Sequence, residues 1–309
     1  MIASDNKLEY PDFKNIPVST KTFIIMTNLV IDLKKLFDFL PITEYTIIPK
    51  KRGRKKKTGD IDEVTIIKDG SIVTMKYENK YKGVNLKQKK SHVKKKKSKW
   101  FRNSFTVVIM IDNKPINFKI CQNGMFQVTG CKFNKHAEGC IKFIWEHIKE
   151  EEKNIFYYSK GTTLEAIFIP AMRNIDFNLG FFIDREKLAQ YMSIQTEFHS
   201  LLETSFGYTG VNIKIPITDN IVDLKLKKIK YICDDFIESS ITYGEYLKML
   251  PEKEQMKKLN KDRYNTFLVF HSGKTINSGI TSEFMEGAYY YFINIIKKCK
   301  HLIEEKLDV

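Results

Sequence analysis

Cys131, His136 and Cys140 are the residues whose types and spacing come closest to a metal site. Thiolate sulfur and imidazole nitrogen are ligands that Zn²⁺ prefers, and these three residues fall within one short segment. However, the spacing Cys-x4-His-x3-Cys matches no common zinc pattern, no fourth ligand is evident, and the segment lies at the start of a predicted helix. We therefore predict that the chain binds no metal and needs no cofactor.

The sequence also lacks the motifs that carry common catalytic chemistry. It contains no Walker loop, GxGxxG, HExxH or GxSxG pattern. Carboxylates such as Glu150, Glu151 and Glu152 lie at the end of a predicted helix, where they are typical of solvated charge. We predict that the chain is not an enzyme.

Two basic segments account for the net charge of +15. Residues 50–57 (KKRGRKKK) and 87–102 (KQKKSHVKKKKSKWFR) together hold 16 of the 52 lysines and arginines and no acid. Such runs stay solvated and attract polyanions by releasing counterions. They are typical either of a solubilising or nuclear-import tail or of a surface that binds phosphate backbones, and the two roles are compatible. The candidate phosphate-binding residues are Lys50, Lys51, Arg52, Arg54, Lys55, Lys56, Lys57, Lys94, Lys95, Lys96 and Lys97.

Composition favours a globular protein of the reducing cell interior. The five cysteines are odd in number and form no close pairs, which argues against a disulfide framework. The first ten residues carry Asp5, Lys7 and Glu9 and do not look like a signal peptide. No uncharged apolar run approaches the roughly 18 residues of a membrane span, and no amphipathic helix accompanies the lysines, so we predict no membrane partner.

An internal repeat in the sequence predicts the fold. Residues 117–130 (NFKICQNGMFQVTG) and 266–279 (TFLVFHSGKTINSG) each predict a strand, a glycine turn at Gly124 or Gly273, and a second strand. A long helical segment follows each hairpin, at 134–151 and 281–305. Upstream, a strand and a helix precede each hairpin, at 23–30 and 32–40 in the first half and at 164–179 and 184–202 in the second. This order predicts an α+β fold with helices on one face of an antiparallel sheet.

The domain prediction follows from the repeat. It comprises an N-terminal arm (1–21), a first repeat (22–151) with a basic insertion (50–99), a linker (152–162) and a second repeat (163–305) with an insertion (218–262). The first insertion should hold a hairpin, 63–68 and 71–77, turned at Asp69 and Gly70. The second should end in a charged helix over 243–261.

The two hairpin segments, together with FTVVIMID at residues 105–112, resemble the two repeats of the TATA-box-binding protein family. The basic insertions make the chain similar to the divergent TATA-binding-protein-like factors of large DNA viruses. The resemblance implies a pseudo-two-fold saddle, whose curved sheet covers and bends the minor groove of promoter DNA and whose phenylalanines wedge between base steps. Phe105 and Phe270 fall at two wedge places, Tyr208 or Phe206 at the third, and Cys121 at the fourth.

Alternation predicts which strand residues share the free face of the sheet, because successive strand side chains point to opposite sides. That face should bind DNA through Val107, Asn117, Lys119, Cys121, Gln127, Thr129, Thr266, Leu268, Lys274, Ile276 and Ser278. It is more apolar in the second repeat than in the first.

Three functions remain open at this stage. The favoured one is a transcription initiation factor that acts as a monomer on double-stranded DNA, with a transcription-factor-IIB-like protein and an RNA polymerase as partners. The resemblance then implies the host nucleus or a cytoplasmic viral factory, or packaging in the virion. The alternatives are an architectural or packaging protein without sequence preference and a partner-binding adaptor that has lost DNA binding.

Overall fold

The computed structural model describes residues 10–44, 67–84, 103–196, 198–203 and 210–305. The chain divides into two compact units. We call Thr22–Ile169 with Lys227–Ser239 the N-unit, and Met1–Lys21, Pro170–Leu226 and Ser240–Val309 the C-unit. The boundaries between the units fall inside four strands, and each unit is described by itself.

The N-unit holds an antiparallel sheet and two helices. Its elements are β1 (Val18–Thr27), β2 (Leu29–Ile31), α1 (Leu33–Phe39), β3 (Ile72–Tyr77), β4 (Lys80–Gly83), β5 (Ser104–Ile111), β6 (Lys114–Cys121), β7 (Met125–Cys131), α2 (Asn134–Ile148), β8 (Phe156–Tyr158) and the start of β9 (Glu165–Asn178). The strands from β7 to β4 follow the order β7-β6-β5-β3-β4, with antiparallel neighbours, and β1 lies beside β7.

The C-unit repeats this arrangement. It contains the end of β9, α3 (Arg185–Gln195), β10 (His199–Glu203), β11 (Gly210–Pro216), α4 (Tyr243–Lys248), α5 (Glu252–Leu259), β14 (Tyr264–Phe270), β15 (Lys274–Gly279) and α6 (Ser282–Ile303). Its sheet has the order β10-β11-β14-β15-β9 with antiparallel neighbours. The remaining strands, β12 (Lys225–Ile232) and β13 (Asp235–Thr242), form a hairpin.

The same hydrogen bonds hold the hairpin turn in both units. The amide of Ile31 donates to the carbonyl of Gln122 at 2.8 Å, and the amide of Ile183 donates to that of His271 at 2.8 Å. Next to each bond an aspartate caps the first helix: Asp32 accepts from two α1 amides, and Asp184 accepts from an α3 amide. The predicted internal repeat is therefore present in the backbone.

Both turns require glycine. Gly124 and Gly273 have φ of +70° and +76°, a region that favours glycine. A Cβ added at Gly124 would lie 2.2 Å from the carbonyl oxygen of Leu29, and one at Gly273 would lie 2.4 Å from that of Phe181. Each turn can thus lie directly against the segment that precedes the first helix of its unit.

In each unit the helices cover one face of the sheet. Alternate residues of β6 and β7, such as Phe118 and Val128, are buried in one core with Ile141 of α2. In the C-unit, Phe267 of β14 stacks on Phe292 of α6, with ring centroids 4.2 Å apart. The α+β fold predicted from the sequence is confirmed.

Part of the second insertion folds onto the N-unit. Strand β12 pairs with β9 through Ile229 and Ala166, and the Tyr231 ring packs edge-on against Trp145 of α2 at 5.4 Å. Lys227 forms an ion pair with Glu138 of α2 at 2.9 Å. The predicted second repeat assigned this whole insertion to its own half of the chain, whereas residues 227–239 complete the other unit.

Three predicted elements differ in detail. The helix predicted over 184–202 ends at Gln195, and residues 199–203 form β10, paired with β11. The helix predicted over 243–261 is two helices, because Pro251 lacks the amide that would continue the first. In the first insertion, the turn at Asp69 and Gly70 and the strand β3 are present, whereas residues 63–66 lie outside the described residues. None of the helices in the described ranges is both long and apolar enough to cross a membrane.

Candidate nucleic-acid interface

We call the sheet face opposite the helices the open face of each unit. In the N-unit, the open-face residues of β6 and β7 are half-buried or exposed. They include the predicted residues Asn117, Lys119, Cys121, Gln127 and Thr129, and Met125 lies on the same face. Their neighbours along each strand, including Phe118 and Val128, lie in the core. The hairpin register therefore places these side chains on the predicted face; that they bind DNA stays a prediction.

The open face of the C-unit is more apolar. Thr266, Leu268 and Phe270 of β14 alternate with buried neighbours, as do Ile276 and Ser278 of β15, and Lys274 is exposed at the start of that strand. The register sets Leu268 opposite Ile276 and Thr266 opposite Ser278. Phe270 is half-buried at the end of β14, three residues before Gly273.

The pairing extends both open faces to residues that the sequence analysis missed. Across the C-unit, one row runs Leu201, Asn212, Leu268, Ile276 and Asp176 on successive strands. Leu201 is 66% exposed. Residues 199–203 (HSLLE) show no clear alternation, and the helix predicted over 184–202 extended into them.

In the N-unit the corresponding row carries positive charge. It runs Lys76, Thr106, Lys119 and Gln127 on β3, β5, β6 and β7. Lys76 was missed because the sequence does not show that β3 adds to the edge of β5. Thr106 was missed because the prediction placed its neighbours Phe105 and Val107 on the free face instead. Two lysines in one row are suited to contact phosphate groups, whereas an apolar row is suited to contact the floor of a groove.

Two predicted site residues are wrong. Phe105 is 1% exposed and Val107 is fully buried, and both lie in the core beneath the helices. The Phe105 ring makes edge contacts with Phe37 of α1 and Tyr77 of β3, with centroids 6.3 and 6.4 Å away. Phe105 cannot reach a groove on the open face, and neither can Val107, which lies two residues along the same side of β5.

The far end of β5 is covered on both faces. Val108 and Met110 point toward the open face, yet they are buried in a small cluster with Ile67 and Val73 of the first insertion. The insertion therefore occupies part of the sheet surface that the resemblance would leave free.

Cys121 lies on the open face, opposite Ser104. Burial raises the pKa of its thiol, so the side chain is neutral at physiological pH. It is small, and it offers much less apolar surface than the phenylalanine expected at a wedge place.

The other wedge candidates and the basic runs are not part of the described structure. Phe206 and Tyr208 lie outside the described residues, as do all eleven predicted phosphate-binding lysines and arginines.

The cysteine–histidine segment packs as core. The Nε2 of His136 lies 3.0 Å from the Asp112 carboxylate, and its Nδ1 accepts from the Lys132 amide at 3.3 Å. Burial raises the pKa of the Cys140 thiol well above its usual value, which keeps it protonated. Among the described residues, no group of three or more histidine, cysteine, aspartate or glutamate side chains is placed to hold a metal ion.

Comparison with known proteins gives two viral relatives. The chain is 26% identical over 213 residues to uncharacterized protein 335L of Invertebrate iridescent virus 6, covering 66% of this chain and 63% of that protein. It is 25% identical over 240 residues to a TATA-box-binding protein-like protein of Acanthamoeba polyphaga mimivirus, covering 64% of each. The resemblance to the TATA-box-binding protein family is confirmed.

The matched regions span less than two thirds of each viral relative. No protein-family model matches the chain. Among solved structures, the TBP of Methanococcus jannaschii superposes with a TM-score of 0.46 at 13% identity, covering 93% of this chain and 99% of that one.

Proposed function

We propose that the chain binds double-stranded DNA through the open faces of its two sheets, as a transcription initiation factor that covers and bends the minor groove at promoters. The observation that carries this proposal is the open face of the C-unit, where Phe270, Leu268 and Ile276 lie together on an antiparallel sheet. The viral relative with a TATA-box-binding-protein-like name supports the same function.

Phe270 is the side chain best placed to open a base step. Unstacking a step costs a few kcal/mol, and proteins offset this cost by inserting an apolar side chain into the gap. A base–aromatic contact contributes about 1–3 kcal/mol. Phe270 ends its strand beside the glycine turn, with Leu268 two residues behind it on the same face to contact the groove floor.

A second function is favoured by the N-unit. Its open face offers Lys119, Asn117 and Gln127 in place of an apolar floor, and Phe105 is withdrawn into the core. Polar and cationic side chains of this kind suit contacts with phosphates and sugars, which carry no sequence information. An architectural or packaging protein that coats DNA without sequence preference would need no more than this.

The partners of the favoured function are proposed from the family resemblance. They are a transcription-factor-IIB-like protein and an RNA polymerase, which the chain would bind in the host nucleus or a cytoplasmic viral factory. The chain would act as a monomer on DNA and catalyse no reaction.

Selection of binders from random duplexes, followed by footprinting and a bend angle from fluorescence energy transfer, separates the two functions. An initiation factor selects an AT-rich site and kinks it, whereas an architectural protein retains all duplexes equally.

Three variants test the wedge. Phe270→Ala should lose about tenfold in affinity and much of the bend, and Cys121→Ala should change little. Tyr291→Ala is the matched control, because Tyr291 is an exposed aromatic residue on the helix side of the C-unit. Equal, small effects of all three would favour the architectural function, and absence of binding to any duplex would contradict both.

A further inference from the structure

The open face of the C-unit carries a carboxylate at Asp176. Asp176 is half-buried on β9, opposite Ile276, between the core residues Ile175 and Phe177. Its position ends the apolar row formed by Leu201, Leu268 and Ile276, so it belongs to the surface that would face DNA.

A hydroxyl group of the C-unit holds the Asp176 carboxylate in place. The Ser19 hydroxyl donates to Oδ1 at 3.1 Å. Asp176 therefore presents a hydrogen-bond acceptor beside the apolar side chain of Ile276.

An acceptor is unfavourable opposite A·T base pairs. In the minor groove, A·T and T·A show only the acceptors adenine N3 and thymine O2, whereas a G·C pair adds the guanine N2 amino group, a donor. A narrow A-tract groove also has an enhanced negative potential, which would repel a carboxylate. A carboxylate on a groove-facing surface therefore discriminates in favour of guanine.

We infer that Asp176 makes the C-unit read a G·C base pair in the minor groove, by accepting a hydrogen bond from the guanine N2 amino group. This inference rests on the proposed DNA binding. It gives the two units different preferences, since the row of the N-unit ends in Gln127, whose amide can both donate and accept.

Base analogues test the inference without altering the protein. The probe is an AT-rich duplex in which adenines are replaced one at a time by 2,6-diaminopurine, which adds only the minor-groove amino group. With the full chain we expect about a tenfold gain in affinity at one position or two adjacent ones, as for a charge-assisted hydrogen bond. In a second duplex that carries a G·C pair at that position, replacing guanine by inosine, which removes the amino group, should lower the affinity by a similar factor.

Two variants locate the effect. Asp176→Asn should bind the adenine and diaminopurine duplexes equally, because an amide serves both donors and acceptors. Asp219→Asn, the same charge change at an exposed residue outside the strands, should keep the preference for diaminopurine.

The outcomes separate this inference from the proposed function. If the chain binds the duplexes but no position responds to diaminopurine, or if Asp176→Asn responds as strongly as the unaltered chain, Asp176 does not read guanine. If the chain binds none of the duplexes, the proposed function fails and this inference fails with it.

Discussion

Phe105 and Phe270 are phenylalanines on opposite faces of their sheets, and truncating each should damage a different property. Phe105 is 1% exposed and contacts Phe37 and Tyr77 edge-on. Removing such a buried ring typically costs 3–5 kcal/mol, because apolar contacts are lost and a cavity remains. We expect Phe105→Ala to lower the free energy of unfolding of the N-unit by about 3–4 kcal/mol.

Phe270→Ala should leave stability nearly unchanged, with a loss below about 1 kcal/mol, since the side chain is half-buried and lies on the open face. Its affinity for DNA should fall about tenfold, the low end of a base–aromatic contact. Because both variants replace phenylalanine by alanine, each serves as the control for the other.

Urea unfolding followed by tryptophan fluorescence measures the first effect. Trp145, one of the two tryptophans of the chain, lies in the core of the N-unit. DNA binding is measured on the same samples by fluorescence anisotropy. Because a domain is stable by only about 5–15 kcal/mol, Phe105→Leu and Phe270→Leu provide a milder pair in case Phe105→Ala does not fold.

An unchanged unfolding curve for Phe105→Ala, combined with weaker DNA binding, would refute the placement of Phe105 in the core. It would restore the wedge that the family resemblance assigns to it. Loss of stability in Phe270→Ala as large as in Phe105→Ala would equally contradict the assignment of the two faces.

Four further predictions concern charge, pH, packing and metal. If the basic runs neutralise about six phosphates, the log–log salt slope of DNA binding should be near −5, and deleting residues 50–57 and 87–99 should halve it; an unchanged slope would place the runs off the DNA. Burial lowers the pKa of His136 below its usual 6.5, so the unfolded state takes up the proton first as the pH is lowered. The urea midpoint of the N-unit should therefore decrease when the pH is lowered from about 7.5 to about 5.5. This fall should be smaller in His136→Gln, and a midpoint independent of pH would contradict the assignment. Tyr231→Ala removes the ring contact with Trp145 and should cost about 1–2 kcal/mol and shift the tryptophan emission to the red, whereas Ile237→Ala, at an exposed site on β13, should do neither. Prolonged chelation should leave DNA binding and the melting temperature unchanged, and stoichiometric zinc that is lost on Cys131→Ser or Cys140→Ser would disprove this.

The sequence by itself determined the repeat and the hairpin faces. Two glycines six residues apart fix each hairpin, because only a glycine turn at Gly124 or Gly273 fits against the segment before the first helix of its unit. Strict alternation around those turns then assigns Asn117, Lys119 and Leu268 to the open face, since a strand has a period of two residues. These features are local, and they can be read without knowing what packs on the strands.

Only the tertiary structure decided which face of β5 points to the core and which unit β12 and β13 join. The run FTVVIMI is apolar at almost every position, because the helices cover one face of β5 and the Ile67–Val73 segment covers part of the other. With both faces apolar, no alternation shows that Phe105 points to the core. The β12–β13 hairpin pairs with β9, about 60 residues earlier in the chain. That pairing depends on long-range contacts such as Tyr231 with Trp145, and a local pattern carries no information about its partner.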